Sequence, residues 1–229
     1  MSESIAFSLE GYARLSRNYY EKMVDAEGQP YFNVFYGRPA EAAHDWPDFG
    51  DVASRQLQAA VMLRHMTGER VATEDVWRRN ILSLLSPQDG LLYRPETGYS
   101  KPVADSGDQS LTLYALATAH LAEPAEALQQ AISAMVRGLE ARAAEFGKPF
   151  DGFLLKPLLA AARAVPESGA RRLADHLMAA LLQNPRVFPP DDVYPAYTHV
   201  HGTLRTLVGA VDYARAAGDA GLLERVYRL

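Results

Sequence analysis

Along most of this chain apolar residues recur at helical spacing, so that one face of each segment is apolar and the other polar. The pattern predicts helices at about 8–25, 50–67, 73–86, 107–121, 124–146, 152–164, 167–183, 199–217 and 219–228. Start and stop signals agree with several of these. Thr73 precedes Glu74 and Asp75, acids suited to a first turn, and Thr198 stands at the capping place before His199. Gly68 and Gly147 follow helices near Thr67 and Phe146.

The helices alternate in character. Segments 107–121 and 152–164 are apolar or small on nearly all sides, as buried helices are. Segments 73–86, 124–146 and 167–183 carry a polar face with Arg78, Arg79, Arg142, Glu145, Arg171 and Arg172, which suits an outer layer. Short connections follow the inner helices, and long ones (26–49, 87–106, 184–198) precede them. Antiparallel neighbours joined in this way place the long loops at one end, where the inner helices begin. The expected class is all-α, an α/α toroid of antiparallel hairpins in one domain over residues 1–229. Six hairpins would need twelve helices, and the sequence supplies about nine, so the expectation is an incomplete toroid, either smaller and open or lacking its C-terminal portion. A second copy of the chain is one source of the remaining helices.

Composition narrows the chemistry. The chain has 229 residues, 48% of them hydrophobic, enough for a sizeable core. A formal net charge of −5 without a long basic run argues against nucleic-acid binding. The absence of cysteine excludes a disulfide framework and a thiol nucleophile. No apolar stretch reaches the roughly 18 residues of a membrane span, so no membrane partner is expected. The N-terminus lacks the basic start and apolar core of a signal peptide. The expected compartment is therefore the cytoplasm, or the periplasm or exterior for a form that has lost a leader.

Polar and aromatic residues cluster at four inner-helix starts. Residues 42–57 bring together His44, Asp45, Trp46, Asp48, Asp51 and Arg55. An indole beside carboxylates suits a sugar, offering an apolar face to its C–H surface and acceptors to its hydroxyls. Asp48 and Asp51 would share a side if both lay in one first turn, although acids there also cap free N–H groups. Residues 93–110 carry Tyr99, Lys101, Asp105 and Asp108, with Asp105 or Ser106 the expected cap. Near 193–207 stand Tyr194, Tyr197, His199 and His201. On a helix the two histidines would diverge by about 200°, whereas in an extended loop they could share a face; no metal site is expected, and no cofactor. Asp151 before Gly152 reads as a turn and cap, and Lys156 either snorkels or faces a polar cavity.

The segments HDWPDFGDVASRQLQAAVMLRHMTGE, DGLLYRPETGY and HVHGTLRTLVGAVDYARAAGD resemble parts of six-hairpin glycosidase-like proteins, α/α-toroid hydrolases and lyases of polysaccharide breakdown. The resemblance implies a site at the inner-helix N-terminal end. It would draw carboxylates from Asp45, Asp48, Asp51, Asp105 and Asp108, and sugar platforms from Trp46, Tyr99 and Tyr197. His199 and His201 would match the histidine-bearing inner helix. The shortened toroid and the missing secretion signal depart from that pattern.

The leading expectation is hydrolysis of a uronic-acid-containing oligosaccharide by two carboxylates, one as acid and one as base or nucleophile. Asp51 and Asp108 are the chosen pair, on different inner helices, and Arg38, Arg55 or Lys101 would meet the substrate carboxylate. A lyase would use Tyr99 or His201 as its base instead. A non-catalytic glycan- or protein-binding repeat is the reading from another class. A terpene-type cyclase fits poorly, because the expected mouth is too polar.

Overall fold

The computed structural model describes residues 8–31, 42–146, 148–194 and 199–229. Among them the protein is all-helical, with nine α-helices and two isolated β-bridges, Val24 with Pro30 and Leu85 with Leu92. No described helix is long and apolar enough to cross a membrane. The chain forms two compact units, one of Met1–Leu84 with Arg94–Pro102, the other of Leu85–Tyr93 with Val103–Leu229.

The first unit holds α1 (Leu9–Lys22), α2 (Asp51–Thr67) and α3 (Glu74–Ser83). Ser8 caps α1 by accepting the Gly11 N–H at 3.2 Å, and α2 stops at left-handed Gly68 as its position predicts. Thr73 stands at the N-cap of α3, but its hydroxyl makes no capping bond and is buried without a partner. The helix ends before the predicted residue 86. Pro87 disfavours helical backbone at Ser86, and Leu85 already pairs with Leu92.

Ala13 of α1, Ala60 and Leu63 of α2, then Val71 and Trp77 form this unit's core, with Tyr20 and Val24 packed against it. Trp77 is wholly buried, and its indole N–H donates to the Gly28 carbonyl at 3.0 Å, so the ring's one polar atom is satisfied. The turn holding that carbonyl is fixed by Asp25, whose carboxylate accepts the N–H groups of Glu27 and Gln29 at 3.0 and 2.7 Å. Gly28 has φ +82°, and a Cβ there would lie 2.6 Å from Val76 Cγ1. Glycine meets both demands.

The second unit contains α4 (Ser106–Ala122), α5 (Glu126–Ala141), α6 (Leu155–Ala164), α7 (Ala170–Leu182), α8 (Val200–Ala217) and α9 (Ala220–Arg228). They pack as successive hairpins, α4 with α5, α6 with α7 and α8 with α9, while α4 also packs on α6 and α6 on α8. The side chains of Leu113, Leu116, Leu128, Ile132, Met135, Leu155 and Leu158 have no exposed surface or almost none. Each such residue contributes roughly 1.5–3 kcal/mol of burial. The predicted helix at 152–164 begins instead as the 3-10 stretch Pro149–Leu154. Pro157 lacks an N–H and is accommodated only within the first turn of the α-helical part. The predicted helix at 124–146 stops at Ala141, and a short 3-10 turn, Ala143–Glu145, follows. Gly147 and Thr198, named above as stop and cap, lie outside the described residues.

The loop preceding α4 is held by a buried glutamine. Gln109, 1% exposed, accepts the Leu92 N–H at 2.9 Å and donates to the Leu92 carbonyl at 2.7 Å. The same loop presses its Asp89 carbonyl against α5 where Gly138 offers only hydrogen, and a Cβ there would lie 2.1 Å from that oxygen. A backbone oxygen cannot rotate away as a side chain can. Gly138→Ala is therefore expected to destabilise the protein by about 3 kcal/mol, the upper end for overpacking, read as a lowered urea midpoint. An unchanged midpoint would show that the loop does not bear on the helix in this way.

Candidate functional site

The first unit contains a cleft of about 630 Å³ walled by Tyr19 and Tyr20 of α1, Tyr31, Trp46, and Asp51, Arg55 and Gln56 of α2. Its geometry begins one layer deeper. The Asp48 carboxylate has no exposed surface, and it accepts the Asp45 N–H at 3.1 Å and stands 2.7 Å from His44 Nδ1. The other ring nitrogen of His44, Nε2, lies 2.8 Å from Asp25. Each ring nitrogen of His44 is thus within hydrogen-bond distance of one carboxylate oxygen. Gln29 adds a bond from its side-chain amide to the Asp48 carbonyl at 2.8 Å. These contacts join the 25–30 turn to the segment 44–48.

On this base sit two cleft walls. The Tyr31 ring lies flat on His44, with centroids 4.3 Å apart and planes 2° apart. Trp46 opens the 3-10 turn Trp46–Asp48, which Asp45 caps by accepting the Trp46 N–H at 2.7 Å. The Arg94 guanidinium covers the indole, 4.7 Å from the ring centroid, and the ring remains 45% exposed. Burial, followed by the negative charges of Asp25, Asp48 and Glu27, raises the Tyr31 pKa above its ordinary value. The phenol is thereby kept neutral and able to donate.

Across the cleft Asp51, the first residue of α2, is paired with Arg55 one turn on. Gln56 is 5% exposed, and its Oε1 is buried with no hydrogen-bond partner. An orphaned buried acceptor costs roughly 1–3 kcal/mol, so its place in the wall of a cleft is informative.

The structure therefore brings three expected residues, Trp46, Asp51 and Arg55, to one cleft and redefines their neighbours. Asp48 does not share a face with Asp51. It lies in the 3-10 turn before α2, sealed beneath His44, and Asp45 is a cap. His44 braces the wall from behind. Tyr99 and Lys101 are exposed and do not line the cleft, and Lys101 stands 3.5 Å from Glu96. Arg38 and Tyr197 lie outside the described residues.

Asp105, Asp108, His199 and His201 belong to the second unit. Asp105 caps α4 by accepting the Asp108 N–H at 2.9 Å, as expected, and Asp108 is only 2% exposed. His199 and His201 do not diverge. Their ring centroids are 5.9 Å apart, because His199 is the extended N-cap of α8, where helical angles do not apply, and its Nδ1 accepts the Gly202 N–H at 3.1 Å. Phe150 and Phe153 stand edge-on to the two rings, at 5.7 and 6.5 Å. Both histidines are exposed. Among the described residues no group of three or more His, Cys, Asp or Glu is placed to hold a metal ion.

Six cleft residues were not anticipated from the sequence: the aromatic or polar Tyr19, Tyr20, Tyr31 and Gln56, and the apolar Pro47 and Val52. The adjacent tyrosines of Asn18-Tyr19-Tyr20 and a glutamine inside the apolar run of α2 were the available signals. No protein-family profile, curated protein or solved structure matches the chain.

The raised Tyr31 value sets a pH dependence. The neutral phenol is favoured in the folded state, so its contribution to stability is whole below the ordinary tyrosine pKa of about 10. That contribution is lost as pH rises through the higher native value. In alkaline titration followed by phenolate absorbance, Tyr31→Phe should remove one late-ionising phenol. Loss of an ordinary phenol instead would contradict the packing of Tyr31 over the Asp25, His44 and Asp48 group.

Proposed function

We propose that the protein is carbohydrate-active and that the cleft of the first unit binds a sugar ring. The observation that carries this reading is a cleft walled by Trp46, three tyrosines and the Asp51–Arg55 pair, with Trp46 45% exposed. A saccharide suits such a wall, with a C–H face for Trp46 and the tyrosines and hydroxyls for the polar side chains among them. The Asp51–Arg55 pair extends the match, with a carboxylate to accept hydroxyls and a guanidinium to receive a uronate carboxyl. The hairpin succession in the second unit, with α4, α6 and α8 packed in sequence, is the arrangement that an arc of an α/α toroid would have. It supports membership of the six-hairpin glycosidase-like group.

In this reading Asp51 stands at the glycosidic bond of a uronic-acid-containing oligosaccharide as base or nucleophile. Glycoside hydrolysis also needs a protonated partner carboxyl. Asp45 and Asp48 are committed to the cap and to His44. That commitment of the neighbouring acids favours one second reading, a glycan-binding module that holds the sugar without cleaving it.

The two tryptophans make the test selective. Trp77 is wholly buried and Trp46 is 45% exposed, so a ligand-induced fluorescence change reports Trp46. Titration with neutral and uronate oligosaccharides should give a saturable change. In calorimetry Trp46→Ala and Gln56→Leu should each weaken binding about tenfold, about 1.4 kcal/mol. Asp51→Asn should keep binding and abolish release of reducing ends if the protein is a hydrolase. If it is a binding module, no ends are released by either form. Absence of saturable binding to every oligosaccharide, or affinities indifferent to both cleft substitutions, would overturn the proposal.

A further inference from the structure

The second unit carries a larger groove of about 840 Å³, bordered by Tyr114 of α4, Lys156 and Arg163 of α6, Arg171 of α7, and Asp212 and Arg215 of α8. Its electrostatic character is opposite to that of the whole chain, which has a formal net charge of −5. Arg171 is neutralised by Asp175 at 2.9 Å, and Arg215 donates to the Tyr227 hydroxyl at 3.3 Å. Lys156, Arg163 and Asp212 make no ion pair or hydrogen bond among the described residues. Apart from Arg171, three cations therefore share the groove with a single carboxylate.

Part of this charge has an ordinary cause. Arg163 and Arg215 stand in the last turns of α6 and α8, where a cation complements the exposed carbonyls. Lys156 has no such explanation. It lies at the other end of α6, half-buried, with its ammonium 5.4 Å from the centroid of the Tyr114 ring. A half-buried lysine drawn onto an aromatic face, without an ion pair, in a groove that holds two further cations and one carboxylate, leaves that groove with net positive charge. A groove of this size holds a small-molecule ligand, and guanidinium and ammonium groups together select oxyanions.

We infer that this groove is a binding site for a small polyanion whose phosphate or carboxylate groups are held by Lys156, Arg163 and Arg215, with Tyr114 as its floor. Asp212 lies among them as an acceptor for a ligand hydroxyl. The site is separate from the sugar cleft and does not rest on the reading of that cleft.

Calorimetric titration of the full chain with pyrophosphate and, separately, with citrate tests the inference. Saturable binding of pyrophosphate alone supports a phosphate ligand, and of citrate alone a polycarboxylate. Binding of both supports a site for oxyanions in general. In each case the double variant Lys156→Gln, Arg163→Gln should bind at least about tenfold more weakly, while Arg186→Gln, at an exposed position outside the groove lining, should bind as the unsubstituted protein does. Circular dichroism of the double variant guards against misfolding, and Tyr114→Ala gives an uncharged second probe that should also weaken binding. The inference is overturned if neither anion binds saturably, if the double variant binds undiminished, or if Arg186→Gln loses as much as the groove variants.

Discussion

A carboxylate with no access to water must be met on all sides by donors, and in this protein Asp48 is that carboxylate. His44 and the Asp45 N–H both meet its Oδ2, Asp25 holds the far side of the imidazole, and Gln29 holds the Asp48 carbonyl. The two segments concerned are far apart in sequence and have little regular structure. They acquire a defined geometry because leaving the charge unmet would cost several kilocalories per mole. The rings that matter, Tyr31 and Trp46, are fixed as by-products of that requirement. The cleft is thus built from the inside outward, with chemistry that never touches a ligand deciding where the ligand-facing groups stand.

The second unit solves its loop problem differently. Its helices pack through almost wholly apolar side chains, and one neutral amide, Gln109, fastens the preceding loop by pairing with both main-chain groups of Leu92. Asp89 completes the anchoring. Burial alone would raise its pKa, but bonds from Tyr93, Leu91 and Ser86 and the charge of Arg142 together hold it below its ordinary value. A carboxylate network thus shapes the first unit's loops, whereas a neutral amide with a stabilised surface acid fastens this one.

The contrast explains what could be read from the sequence. All nine helices of the described residues were legible, because their apolar spacing is local and tertiary packing reinforces it. Boundaries failed at Pro87 and Pro157, where proline restricts the backbone without altering the periodicity, and after Ala141, where a 3-10 turn replaces the end of the predicted helix. Trp46, Asp51 and Arg55 were legible as a cluster because they lie within ten residues of one another. Tyr19, Tyr20 and Tyr31 were not, because they reach the cleft only through the packing of α1 on α2 and the Asp25–His44 contact, and no short window of sequence contains those. Asp48 was misjudged for a related reason. A carboxylate at a helix start looks the same whether it faces solvent or a histidine, and the deciding partner, His44, points back from outside the helix.

The route of the chain carries a consequence for how this protein can be divided. Having built α1 to α3, the backbone leaves the first unit at Leu84, contributes 85–93 to the second, and returns for 94–102 before leaving again. Arg94, the cation over the Trp46 indole, belongs to that returning stretch. An N-terminal fragment cut after α3 would retain the three helices yet lose the lid of its own tryptophan. The gene for this cleft is therefore longer than its helical scaffold suggests, and a recombinational exchange that respected helix boundaries alone would transplant an incomplete binding surface.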